Sequence, residues 1–163
     1  RLLTPFRCNI TVVRRTVEHV EGADIVVGTE NLVDALVGAD VVFLALSLTP
    51  ETVGLIGRPE FELMESHAWI INVARGGHIV MDDLVWALQN GIIGGAAIDV
   101  TDPTEPLPDE HPLWGLPNCI ITPHVGNTPE MAVPLLSERI ATNVQRYING
   151  DELIGLVDVR HGY

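Results

Sequence analysis

The strongest constraint on this chain is the repeated alternation of short apolar runs with amphipathic segments. Residues 40–46 (DVVFLAL), 68–74 (AWIINVA) and 94–100 (GGAAIDV) are almost uninterruptedly apolar, so strands formed by them have two apolar faces. Strands buried on both faces belong to parallel sheets covered by helices. Residues 9–15 (NITVVRR), 23–28 (ADIVVG) and 118–123 (NCIITP) predict further short strands. The spacing between them predicts helices over 30–39, over 58–66 with Pro59 in its first turn, and over 81–91 with Gly91 as its stop. A last, long helix is expected over 129–150, bent at Pro134. The expected fold class is therefore α/β, with a doubly wound parallel sheet. Residues 101–117, rich in proline and acids, make a loop too long for a simple link. Loops of that length in compact domains are commonly functional.

Composition narrows the functional classes. The 163 residues are 47% hydrophobic, enough for the core of one domain. A formal charge of −13 argues against a nucleic-acid partner, because phosphate backbones are held by clustered Lys and Arg. No uncharged apolar run is long enough to span a membrane, and no metal-ligand spacing is present. The two cysteines, Cys8 and Cys119, form neither a CxxC pair nor a disulfide framework. That usage fits a reducing compartment, and a cytoplasmic location is expected.

The polar residues of interest fall on one edge. Arg14, Ser47, Arg75, Asp99 and His124 each lie at or just beyond the carboxyl end of an expected strand. Ligands of open α/β sheets bind along that edge. In the stretch WIINVARGGHIV (69–80), a strand delivers an arginine and then two glycines, residues that permit positive φ or close backbone approach. An arginine fork suits a substrate carboxylate and polarises a neighbouring carbonyl. A histidine is the usual general acid for the proton that accompanies carbonyl reduction. A carboxylate beside the imidazole orients it and favours its protonated form, and Glu105, in the loop ahead of the His124 strand, is the best placed. Each residue alone also has a plain reading as a surface ion pair, a solvated loop residue or a turn cap; only their joint placement makes a site.

The motifs NVARGG, GAAIDV, TEPLP, HPLW and TPHVGNT, in that order, resemble the D-isomer-specific 2-hydroxyacid dehydrogenase family. The likeness extends to SLTPETVGLI before them and ERIATNVQRYINGDELIGLV after them, nearly the whole chain. It implies a Rossmann-like dinucleotide-binding domain and hydride transfer between a nicotinamide cofactor and a 2-keto or D-2-hydroxy acid. By it, Arg75 binds the substrate carboxylate, His124 is the acid/base and Glu105 its partner. Leu46, Val73, Ala74, Asp99 and Gly126 line the cofactor side, with Asp99 and the backbone near Val73 on the carboxamide; His111 is structural. The parent protein is expected to be a homodimer.

Departures from the family pattern carry information. The run DVTDPTEP has one residue more than expected between Asp99 and the glutamate, so the loop must absorb an insertion. Ser47 stands where proline is common. Arg14 stands where members that prefer NAD carry an acid, and Arg14, Arg15 and Thr16 would accommodate a 2′-phosphate, so the expected cofactor is NADP or NAD, with NADP favoured. No GxGxxG occurs in the chain. The resemblance therefore implies a partial dinucleotide-binding domain over 1–163, without its first strand, glycine turn and most of the substrate domain. The C-terminal helix and tail, about 129–163, are expected to pack toward that missing domain. On this view strands 9–15 and 40–46 lack a shared neighbour. Other readings are a nucleotide-sensing, corepressor-like module of the same family, and a purely structural dimerisation domain, which leaves the polar sheet edge without a purpose.

Overall fold

The structure, a computed structural model, describes residues 3–159; the parts of the N- and C-terminal expectations that fall on 1–2 and 160–163 lie outside the described residues. Every expected strand forms, trimmed at its ends: β1 (Thr11–Val13), β2 (Ile25–Val27), β3 (Val41–Leu44), β4 (Trp69–Asn72), β5 (Gly95–Ile98) and β6 (Cys119–Ile121). The helices are α1 (Leu32–Leu36), α2 (Arg58–Leu63), α3 (Met81–Gln89) and α4 (Pro129–Asn149), with short 3₁₀ turns between. Pro59 sits in the first turn of α2, and Gly91 follows α3 at φ +62°, the left-handed conformation that ends helices. The longest helix, α4, runs through Pro134 without a break and closes on Gly150 at φ +77°.

All pairings are parallel, but the strands form two hydrogen-bonded pieces, β1-β2 and β3-β4-β5-β6. Thus β1 and β3 are not paired with each other, as the sequence led us to expect. The core lies on one face of the larger piece. Leu44, Ile70, Ala96 and Ile98 meet Leu36 of α1, Phe61 of α2, and Leu84, Ala87 and Leu88 of α3. The other face carries Val41, Phe43 and Ile120, each about half exposed, and Trp69, whose ring occupies the space a side chain at Gly95 would need. No residue of α4 is buried; Met131, Leu135, Ile140, Val144 and Ile148 are all exposed. The helix is tied chiefly to its own tail, where Asn143 exchanges hydrogen bonds with the main chain of Ile154 at 3.0 and 2.8 Å.

The core predicts its own sensitivities. Ile70 is fully buried at the centre of the sheet. Ile70→Ala should lower unfolding free energy by about 2–5 kcal/mol and Ile70→Val by about 0.5–1.5 kcal/mol. Denaturant unfolding of the three proteins measures this; equal midpoints would show that the β3–β6 face is not the stabilising core.

Candidate active site

The turn after β4 is closed by a buried amide. Asn72 is fully buried; its Oδ1 accepts from the Ala74 N–H at 3.0 Å and its Nδ2 donates to the Arg75 carbonyl at 2.9 Å. A local side-chain amide thus shapes the backbone that presents Arg75, as Asn does in turns. The Arg75 side chain donates from Nη1 to the Ala74 carbonyl at 2.6 Å. Gly76 has no positive φ. Its purpose is close approach: a Cβ there would stand 2.1 Å from the carbonyl of Thr101. The Arg75 turn is therefore pressed against the start of the loop that carries Glu105.

Asp99 follows β5 and is 7% exposed. Its Oδ1 accepts from the Thr122 hydroxyl at 2.6 Å and the Val125 N–H at 2.9 Å, and its Oδ2 from the Gly126 N–H at 2.7 Å. Burial works to raise its pKa, but the hydrogen bonds from Thr122, Gly126 and Val125, with the nearby His124, outweigh it and hold the carboxyl below its ordinary range. The segment 122–126 wraps around this carboxylate. His124, at its apex, has φ +55°, a left-handed conformation that a non-glycine residue holds only when its surroundings enforce it. A Cβ at Gly126 would come to 2.9 Å from Oδ2, so glycine is required for the wrap.

The loop insertion is absorbed. His124 Nδ1 donates to Glu105 Oε2 at 2.8 Å, while Glu105 Oε1 accepts from the Thr101 N–H at 2.9 Å. The bond from His124, then that from Thr101, keep the Glu105 carboxyl below its ordinary range, with the Arg75 charge adding to the effect. With Nδ1 engaged, Nε2 is the ring nitrogen left to exchange a proton. His124 lines an open cleft of about 710 Å³ with Val73, Arg75, Asp99, Gly126 and Asn127. A second cleft, of about 520 Å³, lies between Ala45–Leu48 and Val73–Arg75. The two share Val73 and Arg75 and so form one continuous edge.

Arg75, Asp99, Glu105, His124 and Gly126 are thus brought together, with Leu46, Ser47, Val73 and Ala74 beside them. Arg14 and Arg15 are not among them: they end β1 in the smaller sheet piece, where the Arg14 N–H donates to the Val27 carbonyl at 3.0 Å. His111 accepts weakly from the Leu113 N–H at 3.3 Å and caps the 3₁₀ turn, a structural place. Sequence reasoning missed Asn72 and Thr122. Their only signal was a polar residue at the end of an apolar strand.

Protonation of these carboxyls should be visible in stability. Both Asp99 and Glu105 have folded-state values below the unfolded ones, so their contribution is present above the ordinary carboxylate range. It is lost as pH falls through about 4 toward the folded values. Asp99→Asn turns an amide N–H toward the Gly126 N–H and should cost about 1–3 kcal/mol at pH 7 while flattening the acid limb. Thermal unfolding against pH measures both; an Asp99→Asn variant as stable as wild type at neutral pH overturns the account.

Known proteins resemble this chain in sequence and in fold. Residues 1–126 match the family model for the D-isomer specific 2-hydroxyacid dehydrogenase NAD binding domain. An uncharacterised protein from Corynebacterium melassecola is 41% identical over 99% of this chain and 53% of its own length. Glyoxylate/hydroxypyruvate reductase A of Yersinia enterocolitica is 34% identical over 99% of this chain and 50% of its own. The crystal structure of an NADPH-dependent glyoxylate/hydroxypyruvate reductase from Sinorhizobium meliloti, in complex with NADP and sulfate, superposes with a TM-score of 0.90 at 29% identity, covering 99% of this chain and 52% of that one. The chain spans about half the length of these relatives. With a family model matched over residues 1–126 and relatives matched over nearly its whole length, the chain belongs to the D-isomer specific 2-hydroxyacid dehydrogenase family.

Proposed function

We propose that the protein of which this chain forms part reduces a small 2-keto acid to the D-2-hydroxy acid with a nicotinamide cofactor. The observation that carries this reading is the Glu105–His124 pair, 2.8 Å apart, on the same cleft as Arg75. Arg75 binds the substrate carboxylate and polarises the adjacent carbonyl. His124 gives the proton from Nε2 to the carbonyl oxygen as it becomes an alcohol, and Glu105 stabilises the charged ring before the transfer. In the oxidative direction the same nitrogen takes the proton back.

The donor set fits the nicotinamide end of the cofactor. Asp99 Oδ2 accepts a single bond, from Gly126, and retains a lone pair for a carboxamide N–H. The Val73–Ala74 backbone bounds both clefts, with Leu46 opposite. A bound nicotinamide cofactor would supply the hydride. The chain contains no GxGxxG, so it offers no pyrophosphate cradle of that kind. We read NADP as the preferred form, supported by Arg14, Arg15 and Thr16 after β1 and by the NADPH-dependent relative. The same reading has α4 and the following tail pack toward the substrate-binding part of the protein, supported by the exposed apolar residues of α4. A cytoplasmic homodimer completes it, with Cys8 and Cys119 both free thiols.

The proposal is tested on the full-length protein. His124→Ala should lower kcat by about 10²–10⁴-fold, while Arg75→Ala should raise KM and lower kcat together. Wild-type kinetics in both variants would overturn the assignment, and absence of any turnover in wild type would favour the nucleotide-sensing alternative. Cofactor choice is read from the ratio of kcat/KM for NADPH over NADH. The ratio should exceed one in wild type and fall in Arg14→Asp; a wild-type preference for NADH, or a ratio unmoved by the substitution, places these arginines outside cofactor recognition.

A further inference from the structure

His78 has no part in the chemistry above, yet it is fully buried and its ring is spent on the main chain. Nδ1 lies 3.0 Å from the Thr52 carbonyl and Nε2 lies 3.2 Å from the Leu46 carbonyl. A carbonyl only accepts, so each contact calls for a ring N–H: one is available in the neutral ring and two in the protonated ring. The two oxygens stand at opposite ends of the segment 46–52. Within it, the Thr52 hydroxyl donates to the Ser47 carbonyl at 2.9 Å and accepts from the Thr49 N–H at 2.8 Å. Just beyond it, the Gly54 N–H donates to the Gly77 carbonyl at 2.8 Å, and the Ile56 N–H to the His78 carbonyl at 2.9 Å. The loop is therefore a closed bracket whose two feet rest on one imidazole.

That bracket is a wall of the site. Leu46, Ser47 and Leu48 face Val73–Arg75 across the smaller cleft. The contact is tight, since a Cβ at Gly77 would come to 3.3 Å from Leu48 Cδ2. The short segment 75–78 thus carries Arg75 at one end and, through the His78 ring at the other, holds the wall opposite. An aliphatic side chain would fill the space but remove the ring's donor from the Thr52 and Leu46 carbonyls, which is costly and lets the loop move to find water.

We propose that His78 is a positioning residue that staples both ends of the 46–52 loop and thereby sets the affinity of the adjoining cleft for the nicotinamide cofactor. The assignment rests on the functional reading above, and its test separates the two. Hydrogen–deuterium exchange of the cofactor-free, full-length protein reports the staple directly. His78→Ala should speed exchange across 49–54 by about tenfold, the equivalent of one lost hydrogen bond, with α3 and β5 unchanged. His78→Asn and His78→Gln, each able to return one amide donor, should recover part of that protection. Fluorescence titration with NADPH should show the same order, with Kd weakened about tenfold in His78→Ala and less in the amide variants. Unchanged loop exchange, acceleration spread evenly over the protein, or selective loop loosening with an unchanged NADPH Kd each overturns the proposal. If His78→Ala does not fold, His78→Asn and His78→Gln decide alone: loop-selective acceleration with weaker NADPH binding supports the staple, and its absence refutes it. Failure of the wild type to bind NADPH would sink the functional reading and, with it, the cofactor half of this proposal, while the exchange comparison still shows whether the staple exists.

Discussion

The site depends on one buried carboxylate. An ionised Asp99 just after β5 is expensive to bury, and three donors from the turn after β6 make it tolerable. The same bonds dictate the path of 122–126. They hold His124 in a left-handed conformation, demand glycine at 126, and leave the imidazole free to meet Glu105 from the other side. The Glu105–His124 contact thus stands on the charge neutralisation beneath it. Because the donors are two backbone amides and one hydroxyl, the turn is fixed by main-chain geometry rather than by flexible side chains. That is the preorganisation an acid/base residue needs.

A second centre of order is the segment 72–78, which works by backbone proximity. Asn72 closes the turn with its amide, Gly76 lets the main chain approach Thr101, and His78 reaches back to Leu46 and Thr52. Two loops, 46–52 and the one that begins at Thr101, are therefore gathered on one stretch of chain. Asn72 and His78 are buried polar groups with named partners, and among the described residues no buried side-chain nitrogen or oxygen is left unsatisfied. In such a network the loss of one partner leaves another group unpaired, which is costly in a low-dielectric setting.

Outside this centre the chain is organised differently. The Arg75–Glu105–His124 cluster sits on β3–β6 and their loops, where α1–α3 provide a packed core. Arg14 and Arg15 belong to the β1-β2 piece, which is not hydrogen-bonded to β3. The arginines after β1 and the polar edge of β3–β6 therefore stand on separate hydrogen-bonded pieces of sheet. The exposed face at Val41, Phe43 and Ile120 and the unburied α4 are large apolar surfaces for a chain of this size. They accord with a chain that spans half the length of its relatives.

The sequence by itself determined the element order and singled out the polar residues that meet at the sheet edge. Continuous apolar runs such as 40–46 and 68–74 marked the strands, although one face of β3 stays half exposed at Val41 and Phe43. Their ends were trimmed because ladder hydrogen bonds, not hydrophobicity, terminate a strand. Arg75, Glu105 and His124 were legible because their chemistry restricts residue type and because their motifs occur in order. What only the tertiary structure decided is how these residues are held. Asn72, Thr122 and His78 look like ordinary polar residues in the sequence, since their purpose lies in partners such as a carbonyl 26 or 32 positions away. The glycines of RGG permitted either positive φ or close approach, and at Gly76 only the 2.1 Å that would separate a Cβ from the Thr101 carbonyl distinguished the two. Composition and spacing report which groups a chain contains; which backbone atoms meet them depends on how distant loops converge, and that is set by packing.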